Sequence, residues 1–366
     1  MRPCTRILVS KKSLKRNNME SPLFGPLKPE HKFHWFSRAL VGFLVVAIIF
    51  GLSFLFNLFN SSKEWQEISL TLQGLDQISQ IDKVAAGGDV RIEPVDSPKP
   101  EFPVLVGELS APEDFSAASI IVKDAKTGAG LFAKNEYEAR AVASLTKLMS
   151  VLVLLEKPVN WDKTAPVVGE DALDTHIYAG ESYTVEELWY AALVGSSNKA
   201  ILSLVTTSDY TMEDFVARMN QKARELGLTE TSFVDPTGLG DGNQASASDL
   251  AILLSNALAE DKIREALLTP EYTLYFADKK HHMWNTNWLL LGWIQNDFAA
   301  IMGGKTGYTL AAGYSFAVRV ENERGKMLDV VVLGAPEHEA RFTEARDAAE
   351  MVFAAYQWPM KNDDSH

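Results

Sequence analysis

Residues 39–59, ALVGFLVVAIIFGLSFLFNLF, contain no charge and a single amide, Asn57. At about 1.5 Å of rise per residue, a helix of that length reaches roughly 30 Å, the depth of a bilayer's hydrocarbon core. Backbone N–H and C=O groups in lipid find partners only within their own segment, so the run is expected to be a transmembrane helix. The 38 residues before it hold nine Lys and Arg against Glu20 and Glu30, which places that tail in the cytoplasm and the remainder across the membrane. No small-x-small pattern closes the apolar run, so it reads as a retained signal anchor. The expected order is a basic tail (1–38), an anchor in the lipid bilayer (39–59), a stalk ending in Gly, Asp and Pro (60–108), a folded domain (109–358) and a polar tail (359–366).

The whole chain carries 35 Lys and Arg against 48 Asp and Glu, a formal net of -13, and the basic tail leaves everything after it more acidic still. No basic stripe remains to neutralise phosphates, which excludes nucleic acid as a partner. The one cysteine, Cys4, lies in the tail. The downstream region therefore has no disulfide and no thiol nucleophile. Its stability must come from burial, which a domain of about 250 residues can supply.

Two segments show opposite periodicities. ASIIVKDAKTGAGLFAKNE has two β-rich runs around a polar, Gly-containing centre, which predicts a hairpin with strands near 118–123 and 129–134. A first Lys-Thr-Gly, Lys126-Thr127-Gly128, falls in its turn with the lysine facing water. In ASLTKLMSVLVLLE, by contrast, Leu145, Leu148, Met149, Leu152 and Leu155 recur at three-and-four spacing, the mark of a helix facing a core. Ser144 and Lys147, three apart, occupy neighbouring positions near its first turn. A serine hydroxyl is a weak nucleophile until a base removes its proton, and lysine can do so only while neutral, a state that burial or a second cation favours. A serine at a helix start also lies close to free backbone N–H groups that can hold an oxyanion. The same pair fits an ordinary helix start with a solvated lysine equally well.

The stretch from about 165 to 295 reads as largely helical. Thr184 with Glu187 three residues on is a capping box, and the apolar helix that follows is broken by Gly195-Ser196-Ser197-Asn198 before a second begins. Small polar groups in a buried run are costly unless bonded or used. TMEDFVARMNQKARELG is a further capped helix, and Ser248 or Asp249 opens another. A second Lys-Thr-Gly, Lys305-Thr306-Gly307, sits on or beside a strand leading into a sheet, with Gly303 and Gly304 leaving room for a substrate backbone. The final ARFTEARDAAEMVFAAYQW is an amphipathic helix suited to covering that sheet.

Other chemistries find no pattern. His-Glu-x-x-His is missing, so neither a metal nor another cofactor is expected. No Gly-x-Ser-x-Gly elbow accompanies His176, His281, His282 or His338.

Taken in order, Ser144-Leu145-Thr146-Lys147, Ser196-Ser197-Asn198 and Lys305-Thr306-Gly307 resemble the three motifs of the serine penicillin-binding proteins. The segments ASLTKLM, FVDPTGL, NTNWLL, GGKTGYTLAAGYSFA and VVVLGA, then RFTEA, make residues 112–356 similar to the low-molecular-mass D-alanyl-D-alanine carboxypeptidases. That resemblance implies an α/β fold of the β-lactamase/transpeptidase type. It is an antiparallel sheet flanked by helices with an inserted, mostly helical subdomain, here expected after one transmembrane helix. It implies Ser144 as nucleophile, Lys147 as its base, and Ser196 and Asn198 as proton carrier and holder. Lys305, Thr306, Gly307 and Tyr308 would bind substrate, with the N–H groups of Ser144 and Tyr308 as oxyanion hole. The partners implied are peptidoglycan stem peptides and acylating β-lactams, with no specific protein partner. The activity implied is removal of the terminal D-alanine; D,D-endopeptidase action on cross-links, or an idle wall-binding module, are the alternatives. Motif order makes the second Lys-Thr-Gly the working copy. Two departures stand out: Ser197 replaces a commoner glycine, and the expected anchor precedes the domain with no β-rich domain trailing it.

Overall fold

The computed structural model describes residues 102–359. Two units divide the chain, Met1–Asp96 and Ser97–His366, and the described residues belong to the second. Strands β1 (Val104–Leu105), β2 (Ser119–Asp124), β3 (Gly130–Lys134) and β4 (Arg140–Ala141) precede helix α1 (Thr146–Leu154). Next come β5 (Thr164–Pro166), β6 (Ser182–Thr184), α2 (Val185–Leu193), α3 (Asn198–Thr207), α4 (Met212–Glu225), β7 (Gln244–Ala245), α5 (Ala247–Ala259) and α6 (Asp261–Leu268). The chain returns through β8 (Glu271–Phe276), β9 (Lys279–Trp284), β10 (Ala300–Thr309), β11 (Gly313–Glu321), β12 (Met327–Ala335), α7 (Ala340–Ala355) and β13 (Tyr356–Gln357).

The central sheet runs β10-β11-β12-β2-β3, every neighbour antiparallel. Its strands are apolar on both faces, so side-chain alternation divides one sheet between two cores. Ile120, Val122, Phe316, Val318, Val330 and Val332 point to one side and pack with Phe342, Ala345, Ala349 and Val352 of α7. Ile121, Ala317, Val331 and Leu333 point to the other and join α1, α2, α3, α4 and α5 in the larger core. Helices thus cover both faces, and α7 covers its face as its pattern predicted. Phe342 is fully buried against Phe316, ring centroids 4.9 Å apart, and against Trp288. Phe342→Ala is expected to cost about 3–5 kcal/mol, read as a lowered urea midpoint, because the surrounding sheet can close the cavity only in part.

Local rules explain the helix ends. Thr184 Oγ1 accepts from Glu187 N while Glu187 Oε2 accepts from Thr184 N at 2.8 Å, the capping box expected there. Ser246 caps α5 by accepting from Asp249 N, with Ser248 and Asp249 in the first turn, near the start expected for them. The short strands β5, β6 and β7 were not anticipated, nor was a longer hairpin. β8 and β9 form a two-stranded hairpin inside the stretch read as helical, with Ala277 at φ 50° in the turn.

The membrane expectations are corrected. No helix among the described residues is long and apolar enough to cross a membrane. Crossing needs about 20 apolar residues; the longest described helix, α7, has 16 and carries Arg341, Glu344, Arg346, Asp347 and Glu350. Residues 39–59 lie outside the described residues. The fold is therefore α/β, with an antiparallel sheet between helical layers, and the preceding transmembrane helix, the signal anchor, the bilayer contact and the single-pass topology are withdrawn.

Candidate active site

Ser144 lies in a single 3-10 turn, Ala143–Leu145, that leads directly into α1, and Ala143 adopts φ 49° to make that entry. One helical turn later Lys147 reaches back. Its Nζ is 2.8 Å from Ser144 Oγ, 2.8 Å from Asn198 Oδ1 and 2.8 Å from the carbonyl oxygen of Thr237. The side chain of Lys147 is fully buried. Burial lowers its pKa to about 7, against the opposing pull of Asp174 and Asp235. Burial is the leading cause.

The second motif turns on Ser196, held at φ 60° between α2 and α3. Its Oγ accepts from Lys305 Nζ at 2.7 Å. Ser197 points away from the cleft: fully buried, it donates to Asp174 Oδ2 at 3.0 Å and caps α3 by accepting from Ala200 N. The serine that departs from the commoner glycine is thus a helix cap. Asp174 Oδ2 also accepts from the backbone N–H groups of Asn198 and Lys199, at 2.8 and 2.9 Å, fixing the first turn of α3 and with it the Asn198 amide.

Lys305, Thr306 and Gly307 lie on β10, the edge strand of the central sheet, with Tyr308 next and half exposed. Gly307 permits the close approach of strand to helix start. A Cβ there would lie 2.7 Å from Val142 O and 3.2 Å from Ser144 N. Burial, then the nearby charges of Lys147 and Arg341, push the Lys305 ammonium well below its usual range. Thr306 Oγ1 donates to Thr286 Oγ1 at 2.7 Å. All eight expected residues therefore gather at one place. The other Lys-Thr-Gly does not: Thr127 N and Oγ1 donate to Asp124 Oδ2, Gly128 takes φ 72°, and Lys126 is exposed in the β2–β3 turn.

Ser144, Ser196, Thr306 and Tyr308 open onto a cleft of about 440 Å³ that Thr286, Trp288, His338 and Arg341 also line. Arg341 belongs to α7 and was not anticipated. Its Nη1 donates to Gly307 O at 3.2 Å, while its Nε is buried without a partner and no carboxylate pairs with it among the described residues. Burial lowers its pKa to about 10. Lys305 and Arg341 thus present two desolvated cations to one cleft, an arrangement that an incoming anion relieves. Two further groups escaped sequence reasoning, Asp174 and the Thr237 carbonyl. The latter is held by Asp235, whose Oδ1 accepts from Thr237 N, Thr237 Oγ1 and Gly238 N. Among the described residues, no three His, Cys, Asp or Glu side chains converge as a metal would require.

Residues 107–337 match the family model described as D-alanyl-D-alanine carboxypeptidase. The chain belongs to this family. It is 32% identical over 254 residues to D-alanyl-D-alanine carboxypeptidase DacF of Bacillus subtilis, covering 66% of this chain and 63% of that protein, less than two thirds of its length. It is 30% identical over 240 residues to a D-alanyl-D-alanine endopeptidase of Pseudomonas aeruginosa, covering 64% of this chain and 76% of the other. Among solved structures, penicillin-binding protein D2 of Listeria monocytogenes with bound ampicillin matches at 30% identity and a TM-score of 0.57, over 68% of this chain and all of that one. A Streptomyces K15 DD-transpeptidase matches at 26% identity and a TM-score of 0.60, over 66% and 98%.

Proposed function

We propose that residues 109–358 form a serine-type D-Ala-D-Ala carboxypeptidase that removes the terminal D-alanine of peptidoglycan stem peptides, and that β-lactams acylate the same serine. Stem peptides of this kind lie outside the cytoplasm, where the enzyme would act. The observation that carries the reading is the set of three partners around Lys147 Nζ. A neutral amine has two N–H groups and one lone pair. Asn198 Oδ1 and Thr237 O can only accept, so they take the two N–H groups and leave the lone pair facing the Ser144 hydroxyl at 2.8 Å.

Ser144 Oγ then bonds to the carbonyl carbon of the penultimate D-alanine while its proton passes to Lys147. The N–H groups of Ser144 and Tyr308 hold the oxyanion. The C–N bond breaks as Ser196, bonded to Lys305, delivers its proton to the departing amine and is reprotonated by the proton that Lys147 took from Ser144, which leaves Lys147 neutral again. Water hydrolyses the ester. Lys305, Thr306 and Arg341 hold the terminal carboxylate, which supplies the counter-charge that both cations lack. In a β-lactam the leaving amine stays tethered, and the acyl-enzyme persists.

The test is covalent labelling by a fluorescent penicillin, followed by release of D-alanine from a pentapeptide. A folded protein that takes no label would be an idle binding module, a labelled one that releases no D-alanine would be an endopeptidase, and in either case the proposal would fail. The two Lys-Thr-Gly copies separate cleanly. Lys305→Ala should lower kcat/KM for the pentapeptide by about 100-fold or more, the scale of losing a buried charged contact. Lys126→Ala, in an exposed turn, should leave it within about twofold. Equal losses would sink the assignment of the working copy.

A further inference from the structure

The catalytic cleft has a neighbour. Tyr308 lines the cleft and also a second cavity of about 330 Å³, which Arg140, Leu310, Gly313, Tyr314 and Gly334 help to line. Arg140 is the one charged residue on that lining among the described residues. Its guanidinium is held in place. Arg140 pairs with Ala245 between β4 and β7, and Gly334, at φ 68°, has no Cβ to push it away; one built there would lie 3.3 Å from both Nε and Nη2. Glu138, half exposed, takes Nη1 at 2.8 Å, and Nε is buried without a partner. An arginine fork with capacity left over suits a carboxylate. The rim of the cavity is apolar and rigid. Tyr308 stacks on Tyr314, ring centroids 4.3 Å apart, and Leu310, 94% exposed, stands in a turn that Thr309 Oγ1 closes by accepting from Ala312 N at 3.1 Å.

The polarity of β10 decides what reaches this cavity. β10 is an edge strand, so an extended peptide can lie along its free side. In the binding mode proposed above, the terminal carboxylate sits at Lys305 and Thr306, and the scissile carbonyl sits at the N–H of Tyr308. From the first point to the second, the peptide runs toward its own N-terminus while β10 runs toward its C-terminus. The two are antiparallel. The residue before the penultimate D-alanine is one strand step of about 3.4 Å further on, beside the end of β10 and the Leu310 turn. The leaving D-alanine lies the other way. A side chain with methylenes for Leu310 and Tyr308 and a carboxylate at its end matches the apolar rim and the single cation.

We propose that Arg140 is a specificity-determining residue: its cavity receives the side chain of the residue before the two D-alanines and selects stems in which that side chain ends in a free carboxylate. This rests on the acyl-serine reading above. The bond chemistry is unchanged, because the contact lies on the part of the substrate that becomes the acyl group.

The experiment compares two pentapeptides that differ only at this side chain, one with the carboxylate free and one with it amidated, on the full chain and on Arg140→Gln. The unaltered chain should favour the free carboxylate by about tenfold in kcat/KM, mostly through KM, the scale of one hydrogen-bonded charge pair. Arg140→Gln should lose that preference and keep the amidated peptide within about twofold. No preference in the unaltered chain, a preference that survives in the variant, or equal loss on both peptides would overturn the assignment. Should Arg140→Gln fail to fold, Leu310→Glu sets an acid on the exposed rim instead. It should weaken the preference by about threefold, the scale of an exposed charge pair, and an unchanged preference would overturn the cavity's role. If penicillin does not label the chain and neither peptide is cleaved, the acyl-serine reading fails by itself. Calorimetric titration with the two peptides then reads the cavity directly. Tighter binding of the free carboxylate, weakened in whichever of the two variants folds, upholds the proposal, and equal binding of both peptides overturns it.

Discussion

Ser144→Ala is expected to abolish covalent labelling by penicillin and the release of D-alanine together, a fall on the order of 10⁶ in kcat if the residues act as one unit. The fold should survive. Ser144 is only half buried, lies in a short turn, and its hydroxyl is bonded to Lys147 alone among the described side chains. Losing a half-exposed hydroxyl costs about 1 kcal/mol at most, so the melting temperature should move little. The mass of the intact protein after exposure to a β-lactam gives the decisive reading. The unaltered chain should gain one acyl group and the variant none. An adduct that persists in Ser144→Ala would place the nucleophile elsewhere, with Ser196, whose side chain also lines the cleft, the first to test.

The residues legible in advance share one property: their chemistry travels with a local pattern. Ser144 and Lys147 meet because three residues make nearly one helical turn, and Lys305 and Thr306 could be placed on a strand because β-rich runs follow them. The turn at Lys126 was legible for the same reason. Arg341 was not. It lies 36 residues beyond Lys305 on a helix whose pattern says only that one face is buried, and only the folded layers bring that face to Gly307. Asp174 sits in an irregular segment with no periodicity, and its role is apparent only once three donors from residues 197–199 are seen to converge on it. The Thr237 oxygen is backbone, which any residue supplies. The β8–β9 hairpin had a signal that was passed over: Tyr272, Leu274 and Phe276 alternate with Thr273 and Tyr275 up to a two-residue turn. The apolar residues before and after it were read at a helical period instead. Ser197 was the reverse case, a residue that stood out as a departure in the cleft motif and turns out to cap α3.

Replacing Lys147 by methionine is the second large effect, and pH gives it a signature that a merely structural change lacks. The Lys147 amine acts as base only when neutral, and its pKa is lowered to about 7 by burial. Below that value each unit of acid should cut the neutral fraction, and with it the second-order rate of acylation, about tenfold. The rate should level off above it. Lys147→Met keeps the length of the side chain and removes the base, for an expected loss of about 10³–10⁴ at neutral pH. It also leaves Asn198 Oδ1 and Thr237 O without their donor, at about 1–3 kcal/mol each, so stability must be measured beside activity. The residual rate should be flat from pH 5 to about 7, because the group that titrates there is gone. A rising limb that persists in Lys147→Met would show that another group takes the serine proton, and His176 or His338, each lowered from the usual histidine range by burial, would be next to test.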